Sequence, residues 1–145
     1  MFYSWILQTL YSIRTKKRGR KMKLNYVIIY VDDVVKATDF YAKAFGLPLK
    51  FIHESMMYAE MDTGETILSF AHNDMLTMNI GVEAHKGQKN CFEIAFSTSD
   101  VQKDFDKAIL NGAKEIKKPD LKPWGQTVAY VEDLFGTIVE ICSPL

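Results

Sequence analysis

The sequence predicts an α+β protein of two tandem βαβββ units that together form a curved, half-open mixed sheet with a central cleft. Three observations carry this prediction. Strand and helix signals occur twice in the same order, over about residues 23–82 and 90–145. The two halves share landmarks: aspartate then valine after the opening strand (Asp33-Val34, Asp100-Val101), a helix closed by glycine (Gly46, Gly112), and a late glycine turn before a Thr-Ile pair (Thr66-Ile67, Thr137-Ile138). Self-similarity at this period marks a repeated structural unit. Finally, 145 residues with 48% hydrophobic and 25% charged residues describe a globular chain, and four prolines, eight glycines and two cysteines exclude collagen-like, low-complexity and disulfide-framework classes. A chain of this length buries about two thirds of its extended surface, so one domain stands without a metal or disulfide staple.

In the first unit, Leu24 to Val31 is β-branched and aromatic, and Asp33 caps a helix in which Ala37, Phe40, Tyr41, Ala44 and Phe45 recur at helical spacing. Gly46 ends that helix. Strand-like runs follow at Leu49 to His53, Met56 to Met61 and Thr66 to Ala71, the last two joined by Asp62-Thr63-Gly64. Residues 73–90 connect the units, and Met75 to Val82 within them reads as a possible edge strand. The second unit opens with the strand Cys91 to Thr98, and Ser99 or Asp100 caps a helix carrying Val101, Phe105, Ala108 and Ile109. Gly112 ends it, and strands at Lys114 to Lys118, Thr127 to Glu132 and Thr137 to Cys142 complete the unit, with Asp133 to Gly136 as the last turn. One face of such a sheet is covered by its helix and the other is bare, so two units pair their sheets and leave a cleft, the natural site for a ligand.

The formal charge of zero conceals an asymmetry. Residues 1–21 hold six basic residues and no acid, leaving a body of net charge −6 with 12 basic and 18 acidic residues. An acidic body disfavours nucleic acid and suits neutral or cationic small ligands. The apolar run Met1 to Ile13 is too short and too interrupted by Ser4, Gln8, Thr9 and Ser12 to span a bilayer, and its basic residues follow rather than precede it, unlike a secretory signal. An interfacial segment on an anionic membrane is one remaining reading. The favoured one starts the domain at Met22 and leaves residues 1–21 outside the fold, so that membrane contact is expected only if the extension is real. A cytoplasmic protein with reduced thiols at Cys91 and Cys142 follows.

The opening block Tyr26 to Asp33, then Phe40-Tyr41 and Gly46-Leu47, and the closing block Trp124-Gly125, Asp133-Leu134-Phe135-Gly136 and Glu140, resemble the vicinal oxygen chelate superfamily of glyoxalase I, extradiol dioxygenases, fosfomycin-modifying enzymes and bleomycin-resistance proteins. The resemblance covers nearly all of Lys23 to Pro144. In metal-dependent members it implies one ligand from the first and one from the last strand of each unit. Those positions fall on Tyr26, on Ser69 (or on Leu68 if the glycines rather than the Thr-Ile pairs are aligned), on Glu93 and on Glu140. Only Glu93 and Glu140 match usual ligand chemistry, and two carboxylates alone hold a divalent metal weakly. His53, His72 and His85 occupy no matched position and read as strand-end or loop residues, although His72 follows the strand of Ser69 closely enough to leave a non-standard ligand open.

Glu93 and Glu140 each sit in an apolar strand, and period-two alternation turns them away from their apolar neighbours. If that face lines the cleft, the two carboxylates approach each other and one becomes a general acid or base. Five of the seven methionines lie between Met56 and Met78; they are core filler or, with Trp124 and Tyr130, the lining of a cleft for a flat apolar ligand. No phosphate loop, dinucleotide fingerprint or Ser/His/Asp spacing is present. The resulting expectation is a glyoxalase/bleomycin-resistance-like protein that binds a small organic molecule through Tyr26, Ser69, Trp124 and Tyr130. It has no tightly held cofactor and pairs as a homodimer. The alternative is a lactoylglutathione lyase-type enzyme in which Glu93 and Glu140 hold nickel, zinc, manganese or iron and also serve as catalytic residues. A catalytically silent regulatory domain is a third reading.

Overall fold

A computed structural model of the chain describes residues 24, 26–81, 83–84 and 92–144. The extension 1–21, His85 and Cys91 lie outside the described residues.

Each half folds as βαβββ. The first consists of β1 (Tyr26–Val31), α1 (Val34–Phe45), β2 (Leu49–Ile52), β3 (Tyr58–Met61) and β4 (Ile67–His72), followed by a short helix α2 (Asn73–Ile80). The second consists of β5 (Glu93–Ser97), α3 (Val101–Leu110), β6 (Lys114–Leu121), β7 (Thr127–Glu132) and β8 (Ile138–Cys142). The strands form two four-stranded mixed sheets, ordered β1-β4-β3-β2 and β5-β8-β7-β6, and neither sheet is closed. In both, the first and last strands pair in parallel and the others antiparallel. The repeat read from sequence is therefore a repeat of topology, in a hydrogen-bonded sheet for each unit.

Local chemistry explains the boundaries. The side chains of Asp33 and Asp100 accept from the amides of Lys36 and Lys103 at 2.9 and 3.0 Å, which makes Asp100 rather than Ser99 the cap of α3. Gly46, at φ 68°, supplies the left-handed turn that ends α1. The strand β6 runs on to Leu121 through Pro119, which an edge strand with register irregularities tolerates. β3 begins only at Tyr58 because Met56, at φ 57°, closes a turn in which its amide donates to the His53 carbonyl.

The segment from Met75 is helical, not an edge strand. The His72 side chain accepts from the Asp74 amide at 3.2 Å and starts the helix, while Gly81 at φ 70° stops it. Met75, Leu76, Met78 and Ile80 never alternate cleanly enough to force extension, and none is buried. No helix among the described residues is long and apolar enough to cross a membrane.

One hydrophobic cluster joins the halves. It takes Ile29 and Val31 from β1, Ala59 and Met61 from β3, Leu68 and Phe70 from β4, Ala129 and Val131 from β7, and Val139 and Ile141 from β8. To these it adds the buried sides of α1 and α3. The two helices pack on each other, α1 also on β3 and β4, and α3 also on β6, β7 and β8. Across the junction the Tyr41 hydroxyl donates to Asp133 Oδ2 at 2.8 Å, both groups buried. Met61 and Phe70 thus belong to the core, and Met56 and Met78 are exposed away from it, so the methionine-rich segment does not form one lining.

Candidate functional site

Because the core takes alternate residues of each strand, the intervening ones lie on the open face, turned away from α1 and α3. In the second unit these are Glu93, Glu140, Tyr130 and Cys142. Glu140 is in register with Ala95 on one side and Tyr130 on the other, which puts the tyrosine beside the carboxylate. The pKa of Glu93 is raised, first by burial and then by the charge of Glu140 and a hydrogen bond with it. Burial and the neighbouring charge both favour the protonated form of Glu93. The Tyr130 pKa is pushed up to about 12, chiefly by its hydrogen bond to Glu140 and then by burial. Burial, then Glu140, pushes the Cys142 thiol up, which makes it an unreactive neighbour rather than a nucleophile.

The first unit presents Tyr26, Ile28, Ser69, Tyr58, Glu60 and Phe51. Tyr26 is 47% exposed on the edge strand β1. Ser69 is in register with Ile28 as Glu140 is with Ala95, two residues on from Tyr26 and Glu93 respectively, so Ser69 is the counterpart of Glu140. Leu68 points into the core. Ser69 itself is fully buried, its hydroxyl 3.1 Å from that of Tyr58, which donates to Glu60 Oε1 at 2.9 Å. Lys50 Nζ lies 3.5 Å from Glu60 Oε2. Burial first, with Glu60 among the later causes, raises the Tyr58 pKa and keeps its hydroxyl protonated.

Glu60 and Lys50 were not singled out by sequence. The available signal was the alternation Tyr58-Ala59-Glu60-Met61, and the register: Glu60 opposes Ser69 as Tyr130 opposes Glu140.

Of the sequence-derived site residues, Glu93, Glu140 and Tyr130 come together in one cluster, and Tyr26 and Ser69 flank Tyr58 in another. Trp124 joins neither. It is 61% exposed in the β6–β7 turn, its indole N–H donating to Gln126 Oε1 at 2.9 Å. Among the described residues no hydrogen bond, ion pair or ring contact links the two clusters. His53 bonds Ser55 and His72 caps α2, in keeping with ordinary strand-end roles.

Metal-dependent relatives of this fold imply a divalent ion at the four matched positions, and the residues here do not fit one. Tyr26 is a phenol, Ser69 is engaged with Tyr58, and Glu93 and Glu140 are left as two carboxylates with no imidazole or thiolate at the other matched positions. No three His, Cys, Asp or Glu side chains among the described residues gather in a group able to hold an ion.

The model of the Glyoxalase/Bleomycin resistance protein/Dioxygenase superfamily matches residues 23–141. An uncharacterized protein, YraH, of Bacillus subtilis (strain 168) is 32% identical over 128 residues, 86% of this chain and the whole of that protein. Among solved structures, a glyoxalase-related enzyme from Fulvimarina pelagi superposes with a TM-score of 0.76 at 19% identity, over 86% of this chain and 89% of the other. A glyoxalase/bleomycin resistance protein/dioxygenase family enzyme from Burkholderia phytofirmans PsJN gives 0.75 at 24% identity, over 86% and 100%. At these identities the structures establish the fold, and the family match establishes membership: the chain belongs to the glyoxalase/bleomycin resistance protein/dioxygenase superfamily.

Proposed function

We propose that this protein binds a small organic molecule on the open faces of its sheets without a tightly held metal, and that two copies pair so that the Tyr26 face of one meets the Glu93 face of the other. The folded unit is the single domain from Met22 to Leu145, without the extension 1–21, and it works in the cytoplasm. The observation that supports this reading is the division of the four matched positions into two clusters that no hydrogen bond, ion pair or ring contact among the described residues links, beside half-exposed apolar side chains at Ile28 and Phe51. Such residues on a sheet face favour a partner or a ligand over water. Light scattering and elemental analysis on one purified sample test it. A dimer free of stoichiometric metal is expected; a stable monomer removes the pairing, and one tightly bound divalent ion per chain removes the metal-free binding role.

The lyase reading draws on a different observation, the raised pKa of Glu93 beside Glu140, since a carboxyl group that holds its proton above the usual carboxylate range suits proton transfer beside a carbonyl. Turnover of the methylglyoxal and glutathione adduct with nickel or zinc, lost in Glu140→Gln, would establish it. No turnover with any of the metals removes it.

A further inference from the structure

On the side of the strands opposite the open faces, the core stops short of filling the junction between the units, and a crevice of about 280 Å3 remains. Val27 and Leu68, cross-strand partners on β1 and β4, form its wall in the first unit, with Leu47 just beyond the end of α1. Ile94 and Phe96 of β5 form the wall in the second unit. All five belong to the shared hydrophobic core or pack against it, and Phe96 is steadied by Phe45, the ring centroids 5.4 Å apart. Thr63 and Thr66 also line the crevice, and both have spent their protons: Thr63 Oγ1 donates to the Thr66 carbonyl at 2.6 Å, and Thr66 Oγ1 to the Leu24 carbonyl at 2.9 Å. Among the described residues no charged side chain lines it.

We propose that this crevice is a second binding site, separate from the open faces, and that it takes the aliphatic chain of a small uncharged molecule. Water gains little in such a space because it finds few hydrogen-bond partners, whereas an apolar cavity of roughly 150 Å3 takes up benzene. At about 280 Å3 the crevice has room for a chain of about six carbons. A polar end of the ligand stays in solvent, since neither threonine has a proton left to give it. The position of the site gives it a consequence. Val27, Leu68 and Ile94 are chain neighbours of Tyr26, Ser69 and Glu93, with side chains turned the opposite way. A molecule in the crevice therefore lies behind both clusters at once and ties β1 and β4 to β5.

The test titrates 1-hexanol and 1,6-hexanediol into the full chain and follows the methyl resonances. The two share a chain, but the diol has to bury a hydroxyl without a partner. Hexanol is expected to bind with a Kd of about 1 mM and the diol about tenfold more weakly. Nuclear Overhauser contacts from the hexanol chain should reach the methyls of Val27, Leu68 and Ile94. Val27→Phe and Ile94→Phe fill the crevice from opposite walls; in either variant that keeps the wild-type melting temperature, hexanol binding falls at least about tenfold. No hexanol binding, contacts only to Ile28 on the open face, equal binding of the two alcohols, or undiminished binding in a folded variant overturns the proposal. If neither variant folds, the contacts and the diol comparison in the wild-type chain decide it. Any of these failures leaves the binding role of the open faces untouched, because the crevice shares no side chain with them.

Discussion

Replacing Tyr41 with phenylalanine removes one oxygen from the interface between the two units. Its ring contacts with Phe40, Phe45 and Phe70, at centroid distances of 5.6, 5.1 and 4.7 Å, are kept. What is lost is the 2.8 Å bond to Asp133 Oδ2, in a site where Tyr41 is fully buried and Asp133 nearly so. Asp133 Oδ1 remains occupied by the amides of Phe135 and Thr137, at 2.8 and 2.7 Å, so the turn it organises survives while one oxygen is left buried without a donor. A bond to a carboxylate contributes about 1.5–3 kcal/mol, so Tyr41→Phe is expected to cost about 2 kcal/mol. With a urea dependence of about 2 kcal/mol per molar, the unfolding midpoint falls by about 1 M. A double-mutant cycle with Asp133→Ala should return a coupling of about 1–2 kcal/mol, because the two residues share this bond. A loss below about 0.5 kcal/mol, or zero coupling, would show that water replaces the hydroxyl and that the bond does not hold the units together.

Three further outcomes follow from the same geometry. Glu93 keeps its proton to a higher pH when folded than when unfolded, so wild-type stability falls as pH rises from the ordinary carboxylate range through the raised value; Glu93→Gln should gain in melting temperature over wild type at pH 7 but not at pH 4. Thr137 Oγ1 is buried with no hydrogen-bond partner among the described residues, so Thr137→Val should raise stability by about 1 kcal/mol in denaturant titration, and a loss would mean that the hydroxyl is satisfied after all. Met56 sits at φ 57° on the surface, where glycine relieves about 1 kcal/mol of strain but loosens the unfolded chain; Met56→Gly should be neutral to slightly stabilising, and a marked loss would contradict the left-handed turn.

The repeat was legible because its signals are local. An aspartate cap, a glycine stop and a Thr-Ile pair each act within a few residues, and each recurs. Glu93 and Glu140 were legible for a related reason: a charge inside an apolar strand has only one face on which to lie. Ser69 was harder, because choosing it over Leu68 depends on which residue of β1 it opposes, a property of two strands. Glu60 was missed outright. Its role comes from Tyr58 two residues away on the same strand and from Lys50 on the next, and a carboxylate in a short alternating run looks like any solvated strand residue until those neighbours are placed. The helix at Asn73–Ile80 was misread because its apolar residues stay unburied, so periodicity carried no information and the cap at His72 decided the structure.

The two units also show how one fold can carry different chemistry on equivalent strands. Register makes Ser69 equivalent to Glu140, and Glu60 equivalent to Tyr130. In the second unit the acid stands on the last strand and the tyrosine beside it; in the first, the acid has moved to the neighbouring strand and a hydroxyl occupies the matched position. Both faces therefore keep a phenol bonded to a carboxylate, Tyr58 to Glu60 and Tyr130 to Glu140, although the residues have changed places. A metal site needs its ligands converging on one point, and exchanging acid and hydroxyl between strands moves one carboxylate off it. A hydrogen-bonding site is less demanding, because an acceptor displaced by one strand, about 5 Å, still meets a donor at another position on the same ligand. The geometry that weakens a chelating role thus leaves each face with an acid and a phenol of its own in place of one shared point.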